Sequence, residues 1–278
     1  GGAFNGGVSD NVGKYGQGLH LDGVDDYVDT ASMTITDFTV TAWFKLLEHD
    51  GFDTIIEKVS AIPAGYNDFM IGFQGGDFVV EFEDDDPWEG GADPQKYTIG
   101  PVASYINDWH HVAYAYDSGA STITVYVDGV VALPATAVGP FISGAGRIVI
   151  GADIDAAYPT PDSDEFDGLI DEVRIYDTAL NPGQVTSDMN SAYPIAYTYA
   201  SWSFENTGGG LAYDTHHLAA GTYSGAGLFD GFDDEVIPDP SNWSGNSHWR
   251  SHEYDFINFK LNCIQIMNCQ FIDFFGSL

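Results

Sequence analysis

The chain has 278 residues, with 42 Asp and Glu against 8 Lys and Arg, a formal charge of −34, and 44% hydrophobic residues that include 18 Phe, 16 Tyr and 6 Trp. So many aromatics exclude a disordered acidic chain, and so large a negative charge excludes nucleic acid as a partner while attracting divalent cations. No apolar run reaches the roughly 18–20 residues of a membrane span.

In chain order the sequence reads as short β segments divided by turn signals: 19–29, 37–46 ("DFTVTAWFKL"), 53–59, 68–74, 77–83, 109–117 ("WHHVAYAYD"), 121–135, 147–153 and 166–177 ("FDGLIDEVRIYD"). Apolar residues alternate with polar or small ones at period two, which predicts an all-β, antiparallel fold. In "TVYVDGVVA" the pair Asp128-Gly129 predicts a two-residue hairpin, because glycine accepts the positive φ of a type I′ turn. "NPGQVTSDMN" at 181–190 predicts one short helix, with Asn181 as N-cap and Pro182 at the first helical position. Cys263 and Cys269 both lie near the end of the chain, so the main body holds together by packing and, as we expect, by metal.

The segments "GLHLDGVDDYVD", "DFTVTAWFK", "WHHVAYAYDSGASTITVYVDGVV", "IVIGAD" and "FDGLIDEVRIYDTALNPGQV" resemble the laminin G-like, concanavalin A-like jelly-roll domains of surface proteins. The resemblance spans roughly residues 7 to 190 and implies an antiparallel β-sandwich. It also implies a second, incomplete copy, because "YASWSFENTGGGLAYDTHHLAAGTYSGAGLFDGFDDEV" is similar to the beginning of the same domain. The expected organisation is a sandwich over 1–194 without its entering strand and the start of a second repeat over 195–240. A tail of different composition then covers 241–278. "TYASWSF" at 198–204 is the strand that the family would place beside the closing strand at 168–176, supplied to its own sandwich or to a neighbour.

Carboxylates next to Asp-Gly turns suit calcium, a hard cation that takes carboxylate and carbonyl oxygens. The resemblance implies Asp22 and Asp171 as ligands, with the Gly23 carbonyl beside them. The alternatives are an Asx turn at Asp22 and Asp25, and Arg174 as the partner of Asp171 inside an apolar strand. The acidic loop at 151–168, with Asp153 and Asp155, and the aromatics Trp88, Tyr66 and Tyr158 are the expected ligand-binding positions, the rings for stacking on sugar faces. Glu81 and Glu83 share one strand face as paired glycosidase carboxylates can. They depart from the Glu-x-Asp-x-x-Glu strand pattern of laminarinase-type enzymes. His110 and His111 should point to opposite faces of their strand.

The expected function is a calcium-stabilised extracellular or cell-surface module, non-catalytic, that binds a glycan or a surface protein. The alternatives are a subunit of an extracellular filament assembled head to tail by strand complementation, and a glycoside hydrolase or lyase.

Overall fold

The computed structural model describes residues 13–60, 67–82, 95–139, 145–153 and 164–204, and the backbone of two further short strands at 211–212 and 221–224. Two antiparallel sheets face each other as a sandwich. The first sheet comprises β1 (Leu19–Asp22), β12 (Asp167–Tyr176), β3 (Phe38–Leu46), β8 (His110–Asp117), β9 (Thr122–Val127) and β10 (Val130–Ala137), in that order. The second runs β14 (Leu211–Ala212), β15 (Gly221–Ser224), β2 (Tyr27–Thr30), β11 (Gly146–Ile150), β4 (Phe52–Ser60), β5 (Asn67–Gln74), β6 (Asp77–Phe82) and β7 (Gln95–Pro101).

Period-two alternation builds the core. Phe38, Val40, Ala42, Phe44 and Leu46 of β3 point inward, against Val112, Tyr114 and Tyr116 of β8 and against Phe69, Ile71, Phe73, Phe78, Val80 and Phe82 of the facing sheet. Phe38 stacks on Phe69 with ring centroids 5.2 Å apart, and Phe44 meets Phe78 at 5.5 Å, so ring contacts knit the two sheets beyond simple area burial. The β9–β10 hairpin turns through Asp128 (φ 51°) and Gly129 (φ 76°), the two positive φ values of a type I′ turn. Strand β7 escapes the sequence pattern. It is an edge strand with no fully buried residue, closed by Gly100-Pro101, and so carries little of the alternation that marks its neighbours.

Helix α1 (Pro182–Met189) lies on the outer face of the first sheet. Asn181 caps it through its own side chain, which accepts from the Gly183 and Gln184 amides, and Gln184 returns a bond to the Asn181 amide. Ala113 and Ala115 of β8 leave room on the sheet for Val185 and Leu180, both buried. The outward residues of the same strands therefore form a second, smaller core instead of facing water.

Strand β13 (Thr198–Trp202) pairs antiparallel with the second half of β12, from Val173↔Trp202 to Tyr176↔Thr198, while β1 pairs with its first half, from Leu19↔Ile170 to Asp22↔Asp167. Ala200, Trp202 and Phe204 enter the main core, with Trp202 fully buried. Strands β14 and β15 extend the other sheet beyond β2. The segment after α1 thus contributes to both layers of one sandwich. The tail over 241–278 lies outside the described residues.

Candidate functional site

At one end of the sandwich the segment between β3 and β4, the turn after β11 and the approach to β12 are tied together by backbone bonds. Leu47 N–H donates to the Asp167 carbonyl at 2.9 Å, Thr54 N–H to that of Asp164 at 3.0 Å, and Phe166 N–H to that of Gly151 at 2.9 Å. The loop after β1 turns sharply at Gly23, whose φ of 71° suits glycine; a β-carbon there would stand 2.9 Å from the Asp167 β-carbon. Val24 N–H donates to Asp22 Oδ1 at 3.1 Å, the Asx turn, and Asp22 N–H donates to Asp26 Oδ2 at 3.1 Å. The turn brings Asp22, Asp25 and Asp26 together, with a carboxylate oxygen of each within 4.8 Å of the others.

Asp22 and Asp25 are exposed, but Asp26 is buried. Burial, then the charges of Asp22 and Asp25, push the Asp26 carboxyl up to about 6, against the pull of the Asp22 amide. The crowding extends across this end. Asp53 is raised to about 6 by burial, although His49 bonds to it, with Asp50 and Asp167 adding repulsion. Glu165 and Asp167 are raised by burial first, and then by neighbouring carboxylates. Oxygen-rich, mutually repelling and partly desolvated, the Asp22–Asp25–Asp26 triad has the donor set of a hard divalent cation.

Asp171 is not part of it. The ladder sets Asp22 opposite Asp167, which places Asp171 four residues further along β12, on the order of 13 Å away at strand rise. The expected pairing of Asp22 and Asp171 around one ion is therefore corrected: the side chain of Asp171 is engaged by backbone, accepting from Tyr15 N–H at 2.9 Å and Glu172 N–H at 2.7 Å. It sits at a β-bulge where Glu172 takes φ 50°. Arg174 is not its partner either. Its guanidinium donates to Glu172 Oε2 at 2.6 Å, Asp188 Oδ1 at 2.5 Å and the Ser191 carbonyl at 2.8 Å.

That network forms the polar seam under α1. Burial alone would raise Asp188, but His111, the Arg174 charge and the Tyr176 hydroxyl bring it below the ordinary carboxylate range. His111 packs edge-on against Trp43 on this face, 5.2 Å between rings, while His110 faces the other way, toward Phe44 and Tyr105, and bonds Asp128 at 2.8 Å. The two histidines thus lie on opposite faces of β8, as alternation requires. Glu81 stands on the outer face of the second sheet, in register with Met70 and Lys96. Asp153 is half-buried just after β11. Trp88, Tyr66, Tyr158, Asp155 and Glu83 lie outside the described residues. In the sequence Asp22, Gly23 and Asp25 stand out through the turn pattern, whereas Asp26 is signalled only by the adjacent "DD" and is not among the expected ligands.

A laminin G-type sequence profile, described as the concanavalin A-like lectin/glucanases superfamily, matches residues 22–186. The chain belongs to that superfamily. Its fold is similar to that of a candidate carbohydrate-binding protein from Bacteroides ovatus, at 18% identity and TM-score 0.56, over 76% of this chain and 58% of that one. This superfamily member thus spans little more than half of that relative. It is also similar to a heptameric SAP-like pentraxin from Limulus polyphemus, at 16% identity and TM-score 0.50, over 64% of this chain and 83% of that one. A comparison with curated proteins found no match. Among the described residues no helix is long and apolar enough to cross a membrane.

Proposed function

We propose that this superfamily member is an extracellular, non-catalytic glycan-binding module whose loop end is organised by calcium. The observation that carries the reading is the convergence of Asp22, Asp25 and Asp26 on a single turn, with Asp26 buried and raised to about 6. Three carboxylates this close repel one another unless a cation neutralises them. They would hold calcium, with the Gly23 carbonyl as a further oxygen, and the ion would fix the turn and the neighbouring acidic loops. The fold and the name of the Bacteroides relative support a carbohydrate ligand. The rings of Trp88, Tyr66 and Tyr158 would supply flat surfaces for sugar C–H faces, with Asp153 and Asp155 accepting hydroxyl hydrogen bonds.

The non-catalytic reading draws support from the sequence around Glu81, which departs from the laminarinase-type strand pattern, and from Lys96 across the ladder from Glu81. The test is binding to a panel of neutral and acidic polysaccharides by affinity electrophoresis and calorimetry, in calcium and in chelator. Retention in calcium, lost in chelator and reduced by Trp88→Ala, is the expected result. Binding to no polysaccharide in the panel, or release of reducing sugar that Glu81→Gln abolishes, would overturn it.

A further inference from the structure

We infer that strands β13, β14 and β15 are an exchangeable complement: the same strands of a second copy of this chain can take the places that they hold in their own sandwich. The ten-residue strand β12 has one edge paired to β3 along its length and the other shared between two short strands. Its second half, Val173–Tyr176, takes its partner from the far side of α1. The docked segment is deeply seated, with Ala200 and Trp202 fully buried in the core and Phe204 nearly so. Without it the edge of β12 would expose unpaired backbone groups above an open core.

The connection that carries it has the features of a hinge. Only residues 191–197 separate Asn190, at the end of α1, from β13. Tyr193, 80% exposed, precedes Pro194, whose ring stiffens the link and holds the residue before it extended. At the other end Tyr197, 64% exposed, takes φ 74°, a left-handed conformation that an aromatic side chain adopts only under constraint. Phe204, just beyond β13, is also left-handed at φ 55°. Tyr197, in the hinge itself, can relax if the chain runs straight on to another molecule, whereas the contacts of β13 with β12, and the seat of Phe204 in the core, are the same whichever copy provides them. A short, strained, proline-containing hinge and a buried strand favour exchange in this way. Strands β14 and β15 follow β13 in the chain, β15 pairing with β2 and β14 with β15, so a donated segment completes both sheets of the acceptor. The partner is therefore chemically specified: a strand with small and aromatic residues alternating inward, as Ala200, Trp202 and Phe204 do.

The experiment uses the full chain with Cys263 and Cys269 replaced by Ser. Ile175 and Ala200 are register partners across β12 and β13, at a spacing that a disulfide can bridge. Chains carrying Ile175→Cys alone and Ala200→Cys alone are mixed, unfolded, refolded together over a hundredfold range of concentration and oxidised. The expected result is a covalent dimer of the two species, rising with concentration. A chain carrying both substitutions, refolded at the lowest concentration, should close the link within itself, which shows that the substitutions are tolerated, and should give linked dimer only as concentration rises. Exclusive monomer at every concentration, or dimers in which the mixed disulfide does not form, would overturn the inference. If the cysteine chains do not fold, light scattering of the unsubstituted chain refolded over the same range, with and without Ala200→Pro, decides: oligomer that the proline abolishes supports exchange, and its absence refutes it.

Discussion

If the Asp22–Asp25–Asp26 turn binds calcium, stability must depend jointly on pH and on the ion. The Asp26 carboxyl moves from an ordinary 3.8 to about 6 on folding, so the folded chain holds its proton more tightly than the unfolded chain. Below pH ~4 both states are protonated and there is no penalty. Between pH ~4 and ~6 the unfolded state ionises first, and folding stability falls as pH rises. Above ~6 the penalty is complete, with a ceiling of about 3 kcal/mol at ~1.4 kcal/mol per pKa unit. Asp22 and Asp25 open the turn to water, which brings the real value below that ceiling.

A bound cation needs the ionised carboxylates, so it reverses the trend. At 100 times its dissociation constant the ion adds about 2.7 kcal/mol, roughly 5–11 °C in Tm for a domain of this size. Thermal unfolding followed by near-ultraviolet circular dichroism, in calcium and in chelator from pH 4 to 8, should give two curves that coincide near pH 4.5 and separate above pH 6. Asp26→Asn should merge them at every pH and, in chelator at pH 7, melt above the unsubstituted chain. A calcium increment independent of pH, or one that survives in Asp26→Asn, would refute the reasoning. Asp53 is also raised to about 6, and the Asp26→Asn chain retains its titration, so the comparison separates the two groups.

Asp171→Ala removes the acceptor of the Tyr15 and Glu172 amides and should cost about 1–3 kcal/mol in urea unfolding while leaving the calcium increment intact. Arg174→Ala strands Glu172 and Asp188 in the seam under α1, and a loss of about 3–5 kcal/mol is expected by chemical denaturation. Trp202→Ala empties a fully buried site in the core and should lower stability by about 3–5 kcal/mol, measured the same way. Asn181→Ala removes only the helix cap, worth about 1 kcal/mol, and serves as the small-effect reference.

The parts of the fold legible in the sequence are those written in local pattern. Alternation in "DFTVTAWFKL" fixes which residues of β3 meet the core, and Asp128-Gly129 and Asn181-Pro182 mark a turn and a helix start through backbone geometry alone. The outer-face core was not legible, because burial of Thr39 and His111 depends on segments far along the chain: Thr39 donates to the Thr178 carbonyl, 139 residues on, and His111 meets Asp188 of α1. The candidate site was half legible for the same reason. Asp22 and Gly23 announce a turn, but whether Asp171 could join them depends on ladder register, and the bulge at Glu172 is invisible until the strands are paired.

Register also explains why this chain needs two kinds of carboxylate. Asp171 and Asp188 are buried beside donors, the amides of Tyr15 and Glu172 for one and Arg174, His111 and Tyr176 for the other, and these donors hold Asp188 below the ordinary carboxylate range without a metal. Among the described residues Asp26 has one donor, the Asp22 amide, and two carboxylates for neighbours. Burial without compensating donors is the condition that a bound cation relieves. The charge state of Asp26 should therefore follow calcium, while Asp188 should hold its own with or without it.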